Sequence, residues 1–343
     1  MPDEHPRSDT STIPTRNREL WLDVAKGISI VSVVLFHSGT LSSEGTIARR
    51  AWEIVDLGLF TFIMPLFFLV SGLVMGSSLA LPFVSFLKRR VWPITYLFVL
   101  WGSIYAAFDW FSDGAVGSTV LATITLQSVL WYLAALAAYM AIAWLTRNTA
   151  TTVVLIVAAL VAVPSAIFFP FDGWGLAHGP HFLVFFLAGC RLSGQIASRI
   201  KGAGFREVLV LVALTAALAG AAYLIPDARS SVYALAPLVS VPIVLLLSQV
   251  ITRWPSAAGV VAKVGVASLA IFVVHGLILG LIRPLLDGLP STPVVPWLAP
   301  LAGTVIALAI SMALWAFRGT LAWLFKPPSL PVRPSPGTFQ GMS

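Results

Sequence analysis

Charge is scarce in this sequence, and its scarcity excludes most of what a chain of this length ordinarily is. Asp, Glu, Lys and Arg make up 10% of its 343 residues, against about 25% in a typical soluble domain. So few charges cannot clothe the two soluble domains that the length would otherwise suggest. Cysteine is nearly missing too. Cys190 is the only one, which excludes an internal disulfide and a Cys-rich metal site. No internal repeat is visible. The formal net charge of +7 is not gathered into a basic run of the kind that binds nucleic acid. Apolar residues, at 58%, fill the chain instead. They recur in runs long enough to cross a hydrocarbon core of about 30 Å.

The expected fold is therefore all-α and integral to a membrane, with about ten transmembrane helices and both termini cytoplasmic. The spans run approximately Leu20–Leu41, Val55–Leu79, Val91–Phe108, Val120–Leu145, Thr151–Phe169, His181–Gly194, Val208–Ile225, Val232–Ile251, Val260–Ile282 and Val294–Trp323. A polar tail over residues 1–19 precedes them, and the first apolar run reads as a retained span rather than a cleaved signal. Residues 20–325 form the membrane domain. Residues 326–343, rich in proline, form a second cytoplasmic tail. This arrangement puts sixteen Lys and Arg residues on the cytoplasmic side and four outside, with Lys26 within the first span. Such a bias is what orients membrane proteins. It makes the protein a multi-pass component of the cytoplasmic membrane, with the bilayer rather than nucleic acid as its partner.

Ionisable side chains inside a span are costly and usually functional. The first span has three: Asp23, Lys26 and His37. Eleven steps at 100° bring His37 to within about 20° of the Lys26 face, and roughly 16 Å deeper. Asp23 shares that face and, three residues from Lys26, can pair with it. It lies too far along the helix to touch His37. Plainer readings exist: an interfacial pair whose lysine snorkels to the boundary, and a histidine near the outer headgroups. Three such residues on one face favour a site. A second intramembrane histidine, His275, is either another site residue or a packing residue bonded to a neighbouring helix.

Several segments then resemble a known family. Leu22-Asp23-Val24-Ala25-Lys26-Gly27-Ile28, leading to His37-Ser38, is similar to the opening signature of the acyltransferase family 3 membrane proteins: a basic residue, ten others, then His. Met64-Pro65-Leu66-Phe67-Phe68-Leu69-Val70-Ser71-Gly72 resembles their second-helix motif. Lys88-Arg89-Arg90-Val91-Trp92-Pro93 resembles the basic stretch before their third helix, and Leu130-Trp131-Tyr132-Leu133 a later segment. Phe185-Phe186-Leu187-Ala188-Gly189 and Ser268-Leu269-Ala270-Ile271-Phe272-Val273-Val274-His275 resemble segments nearer the end. The Leu-Asp-x-Ala-Lys-Gly form is closest to the fucose 4-O-acetylase-like branch. One departure stands out: many members have Arg-x-x-Arg before the third helix, whereas Leu87 occupies the position three before Arg90.

The resemblance implies O-acylation of a glycan or glycolipid from a cytoplasmic acyl-CoA, here acetyl-CoA as co-substrate with no metal. His37 would act as general base or take the acyl group itself, with Lys26 and Asp23 completing the catalytic face. Lys88, Arg89 and Arg90 would hold the donor phosphates, unless they only anchor topology. Ser71, Trp131, Tyr132 and His275 would line the acceptor cleft, unless they only pack. Glu53 and Asp56, at the start of the second span, would meet acceptor hydroxyls. His178 and His181 read as solvated residues at the outer boundary. Irregular backbone around Pro65 and Gly72 would open the polar cavity. Succinyl-CoA is an alternative donor, and a glycan transporter or flippase is the alternative class.

Overall fold

The computed structural model describes residues 19–112, 116–124, 128–168, 179–224, 234–288 and 292–328. Among these residues the secondary structure is helical, with no strand. Hydrocarbon dictates this, because backbone groups there must pair within their own segment. In chain order the helices are α1 (Leu20–Ser38), α2 (Ile47–Phe60), α3 (Ile63–Met75), α4 (Phe83–Phe86) and α5 (Trp92–Ser112). There follow α6 (Val116–Ile124), α7 (Trp131–Leu145), α8 (Thr151–Phe168), α9 (Gly179–Arg191) and α10 (Ser193–Gly202). The last are α11 (Phe205–Leu224), α12 (Pro237–Ile251), α13 (Pro255–Val266), α14 (Ser268–Asp287) and α15 (Val295–Ala316).

Five stretches are long and apolar enough to cross a membrane: Leu20–Leu41, Ile47–Ser78, Phe83–Ser112, Ser268–Leu286 and Val295–Ala316. The shorter apolar helices run Trp131–Leu145, Thr151–Ser165, Leu209–Leu218, Pro237–Ile251 and Pro255–Val266. A 15-residue helix is only about 22 Å long, less than the hydrocarbon thickness. Of the ten expected crossings, five thus reach full length among the described residues.

Several expected boundaries need correction. The second span breaks at Thr61 and Phe62, between α2 and α3. Pro65 falls in the first turn of α3, where its missing N–H has no helical acceptor to serve. The irregularity therefore precedes Pro65, and Gly72 lies in regular helix. The fourth span divides into α6 and α7, and the ninth into α13 and α14, which meet at a turn on Ala267. The tenth ends at Ala316. The chain beyond it folds onto α5, where Tyr96 Oη donates to the Trp323 carbonyl at 2.8 Å and Trp101 Nε1 to that of Leu324 at 2.9 Å.

Helix α1 is central. It packs against α3, α12, α13, α14 and α15, while α9 covers the other side of α3 and α8 covers α9. Burying apolar surface does not drive helices together in lipid, so close backbone approach must. Two glycine seams supply it. A Cβ at Gly265 would lie 1.8 Å from the Asp23 carbonyl oxygen, and one at Gly27 would lie 2.2 Å from that of Val261. The α3–α9 seam is reciprocal: a Cβ at Gly72 would meet Phe186 O at 2.2 Å, and one at Gly189 would meet Leu69 O at 2.2 Å.

Segments assigned to one side by charge also meet in space. Lys201 donates to Glu19 at 2.6 Å, and this bond holds the Glu19 carboxyl below its ordinary pKa. Arg191 reaches the carbonyls of Thr146, Arg147 and Thr149. These contacts gather the start of α1, the α7–α8 connection and α10 at one end of the bundle.

Candidate active site

The site begins with the Asp23–Lys26 face of α1. Lys26 Nζ lies 3.4 Å from Asp23 Oδ1, with 20% and 7% of the two side chains exposed. The i, i+3 spacing lets them meet. Asp23 is held from behind as well, because Gly265 of α13 rests on its carbonyl. Lys26 opens into a cavity of about 200 Å³ that also takes in Ser71, Arg90, Tyr132, Ser268 and Phe272. Four residues read separately from the sequence, Lys26, Ser71, Arg90 and Tyr132, thus share one space although they come from α1, α3, α7 and the turn before α5.

Each arrives there for a local reason. Gly72 and Gly189 press one face of α3 onto α9, which turns Ser71 toward α7. There Ser71 Oγ and Tyr132 Oη are 2.8 Å apart, a hydrogen bond that fixes both hydroxyls. Tyr132 is further packed by Phe68 and Phe272, at ring-centroid distances of 4.7 and 5.2 Å. The basic cluster occupies a π-helical turn, Leu87–Val91. Such wide turns recur at functional sites. This one brings Arg90 to the cavity and leaves Lys88 and Arg89 exposed outside it.

Phe272 links the cavity to the deeper histidines. It was not singled out in the sequence, although its i, i+3 relation to His275 places the two on one face. His275 is fully buried. Its Nδ1 lies 2.7 Å from the Phe272 carbonyl oxygen and 3.2 Å from that of Ile271. Two acceptors require a donor between them, so Nδ1 carries the proton and the neutral ring keeps its lone pair on Nε2. That Nε2 is buried with no hydrogen-bond partner among the described residues. The His37 ring stands 5.1 Å from the His275 ring, centroid to centroid. The two helices run in the same direction here: Lys26 and Ser268 share the cavity, and His37 and His275 meet beyond it.

Just past His37, Gly39 lets α2 come close, and a Cβ there would lie 2.6 Å from an Asp56 carboxylate oxygen. Arg49 donates to the Gly39 carbonyl at 2.9 Å and pairs with Glu53 at 3.3 Å. Glu53 is exposed, and Asp56 Oδ1 is buried without a partner among the described residues. Arg49, which no sequence motif marks, ties Glu53 to the end of α1. Trp131 packs against Phe68 and Phe182 at 6.0 and 5.6 Å and is not among the cavity residues. His181 is buried against Phe182 and Phe185 rather than solvated, because α9 starts inside the bundle. His178 lies outside the described residues. Among the described residues no three His, Cys, Asp or Glu side chains converge as metal ligands do. A wider groove of about 600 Å³ lies between α10, α11 and α12 and contains none of the expected site residues.

A family model described as an acyltransferase domain matches residues 19–316. The inner membrane protein YcfT of Escherichia coli (strain K12) is 24% identical over 360 aligned positions, which cover 92% of this chain and 98% of that protein. No solved structure matches significantly.

Proposed function

We propose, from the premise that this chain belongs to the acyltransferase family 3 membrane proteins, that it is an O-acetyltransferase of the cytoplasmic membrane. It moves an acetyl group from cytoplasmic acetyl-CoA to a hydroxyl of an exported or cell-envelope glycan or glycolipid. The observation that carries this reading is the joining of Lys26, Arg90, Ser71 and Tyr132 around one cavity, with the His37–His275 pair beyond it.

The cavity's volume of about 200 Å³ is below the usual range for a site that encloses a whole cofactor. It suits the slender pantetheine arm, with the nucleotide left at the mouth and the thioester end reaching past Phe272 toward His37. Lys88 and Arg89 are exposed in the same turn as Arg90 and hold the nucleotide phosphates, which ammonium and guanidinium groups bind well. Arg90 and Lys26 meet the part of the donor that enters, and Asp23 holds Lys26 in place. Further in, His37 removes the proton from the acceptor hydroxyl. The hydroxyl oxygen forms a new C–O bond to the acetyl carbon, the C–S bond breaks, and the proton passes from His37 to the departing sulfur. The His275 ring, 5.1 Å from the His37 ring, packs against it and positions it.

Purified full-length protein given acetyl-CoA and an envelope glycan fraction should release free CoA in proportion to acetyl ester formed on the glycan. Release with succinyl-CoA but not acetyl-CoA would change the donor. No release with either, together with glycan movement across vesicles, would establish the transport reading instead. Within the basic turn, Arg90→Gln should raise the apparent KM for acetyl-CoA by roughly tenfold, as loss of one charge-assisted contact does. Lys88→Gln or Arg89→Gln alone should change it less, since exposed charges are screened. Equal KM in all three variants and the parent would leave the turn as a topology anchor.

A further inference from the structure

The groove between α10, α11 and α12 plays no part in the chemistry above, yet its make-up is specific. At its rim stand Arg199 and Arg206. Its walls are apolar, with Val210 and Leu211 from α11 and Pro242 and Leu246 from α12. The change from charged to apolar falls within one turn of α11. Arg206 and Glu207 begin that helix, and from Leu209 onward it turns bare apolar surface outward: Leu209, Val210, Val212 and Leu214 each expose roughly half of their area. That sharp change marks where headgroup gives way to acyl chain. The preceding helix, α10, ends in Arg199 and Lys201 with Ile200 buried beneath. It lies at the end of the bundle fixed by the Lys201–Glu19 ion pair.

Charge within the groove favours an anion. Glu207 is its only acidic lining residue, and the Glu207 carboxylate accepts the Gly204 backbone N–H at 2.8 Å. Lys201 is neutralised by Glu19. Arg199 and Arg206 are in no close ion pair among the described residues, and the Glu207 carboxylate, which both attract from a longer distance, offsets one of their two charges. Two arginines above an apolar trough of about 600 Å³ match one molecule: a negatively charged phosphate head with a hydrocarbon tail below it. Guanidinium groups bind phosphate in a forked geometry, and basic pockets between membrane helices hold anionic headgroups.

We propose that this groove is a binding site for an anionic phospholipid. The two arginines grip its phosphate, and one acyl chain lies along Val210, Leu211 and Leu246.

The test uses the full-length protein, incubated with mixed vesicles of equal phosphatidylglycerol and phosphatidylcholine and repurified. The retained lipids are then counted by native mass spectrometry. The parent should retain phosphatidylglycerol in preference. The double variant Arg199→Gln, Arg206→Gln should lose that preference by roughly thirtyfold, as expected for two basic groups at an anionic surface. Val210→Trp keeps every charge but fills the trough, at a site already half exposed, and should lose it as well. Arg253→Gln, Arg318→Gln removes the same charge elsewhere and should keep it. The proposal is overturned if the first double variant retains lipid like the parent, if the control pair loses it equally, or if Val210→Trp has no effect. Displacement of the lipid by added acetyl-CoA would also overturn it, by making the groove a donor subsite.

Discussion

Replacing His37 with alanine should abolish acetyl transfer, with a fall of roughly 10²- to 10⁴-fold, the contribution of a well-placed general base. The protein itself should persist in the membrane. His37 is half-buried near the C-terminal end of α1, and alanine is the best helix former, so little of the helix is disturbed. Neither the Asp23–Lys26 pair nor His275 is placed to replace the base. Asp23 and Lys26 pair with each other roughly 16 Å lower on the same helix. His275 is fully buried, and one of its nitrogens is committed to backbone carbonyls. The measurement is free CoA released per minute by equal amounts of repurified protein, with acetyl ester on the glycan as the second readout. Undiminished release from His37→Ala would remove this histidine from the chemistry and shift attention to Asp56. That carboxylate lies against Gly39 at the same helix end, with a buried oxygen that has no partner among the described residues.

The second large effect is on assembly. Gly72→Ala adds one methyl group, and that methyl would sit 2.2 Å from the Phe186 carbonyl oxygen and 2.9 Å from the Cys190 nitrogen. Both are backbone atoms of α9, so no rotamer change relieves the clash. The helices must part, and an opening of about 1 Å forfeits up to half of the dispersion energy across the seam. A cost of about 3 kcal/mol, the upper part of the range for overpacked sites, is expected. Detergent-solubilised Gly72→Ala should unfold or aggregate at a lower temperature than the parent when followed by size-exclusion. Gly58→Ala serves as the comparison, because nothing lies within 4 Å of a Cβ there. Equal thermal profiles for the two variants would mean that the α3–α9 contact is looser than its geometry. Activity should fall with Gly72→Ala as well, since the neighbouring Ser71 would draw away from Tyr132.

The residues most informative in isolation were those in the wrong solvent. Asp23, Lys26, His37 and His275 are legible in the sequence because a charge or imidazole in hydrocarbon needs a reason. Helical periodicity then places the first three on one face without any coordinates. Composition alone determined the all-helical membrane fold, and the asymmetry of Lys and Arg grouped segments that the structure brings together, as at Glu19–Lys201. The pattern was weakest where an apolar run conceals a break. Thr61–Phe62 and Ala267 interrupt stretches that read as continuous, because hydropathy records what lipid tolerates and not where a backbone turns. His181 was misread for a similar reason: α9 is short and starts within the bundle, and length in residues does not report depth.

What the tertiary structure alone decided is which faces meet. Periodicity gives each helix a functional face but not its neighbours. Those are chosen by close backbone approach at Gly27, Gly265, Gly72 and Gly189, contacts between residues far apart in the chain. Because of them Lys26, Ser71, Arg90 and Tyr132 share a cavity, Phe272 becomes its inner wall, and two histidines from opposite ends of the sequence come into ring contact. In a membrane the side chains of any helix are equally at home against lipid or another helix. The specificity of assembly therefore rests on a few small residues whose partners only the folded structure reveals.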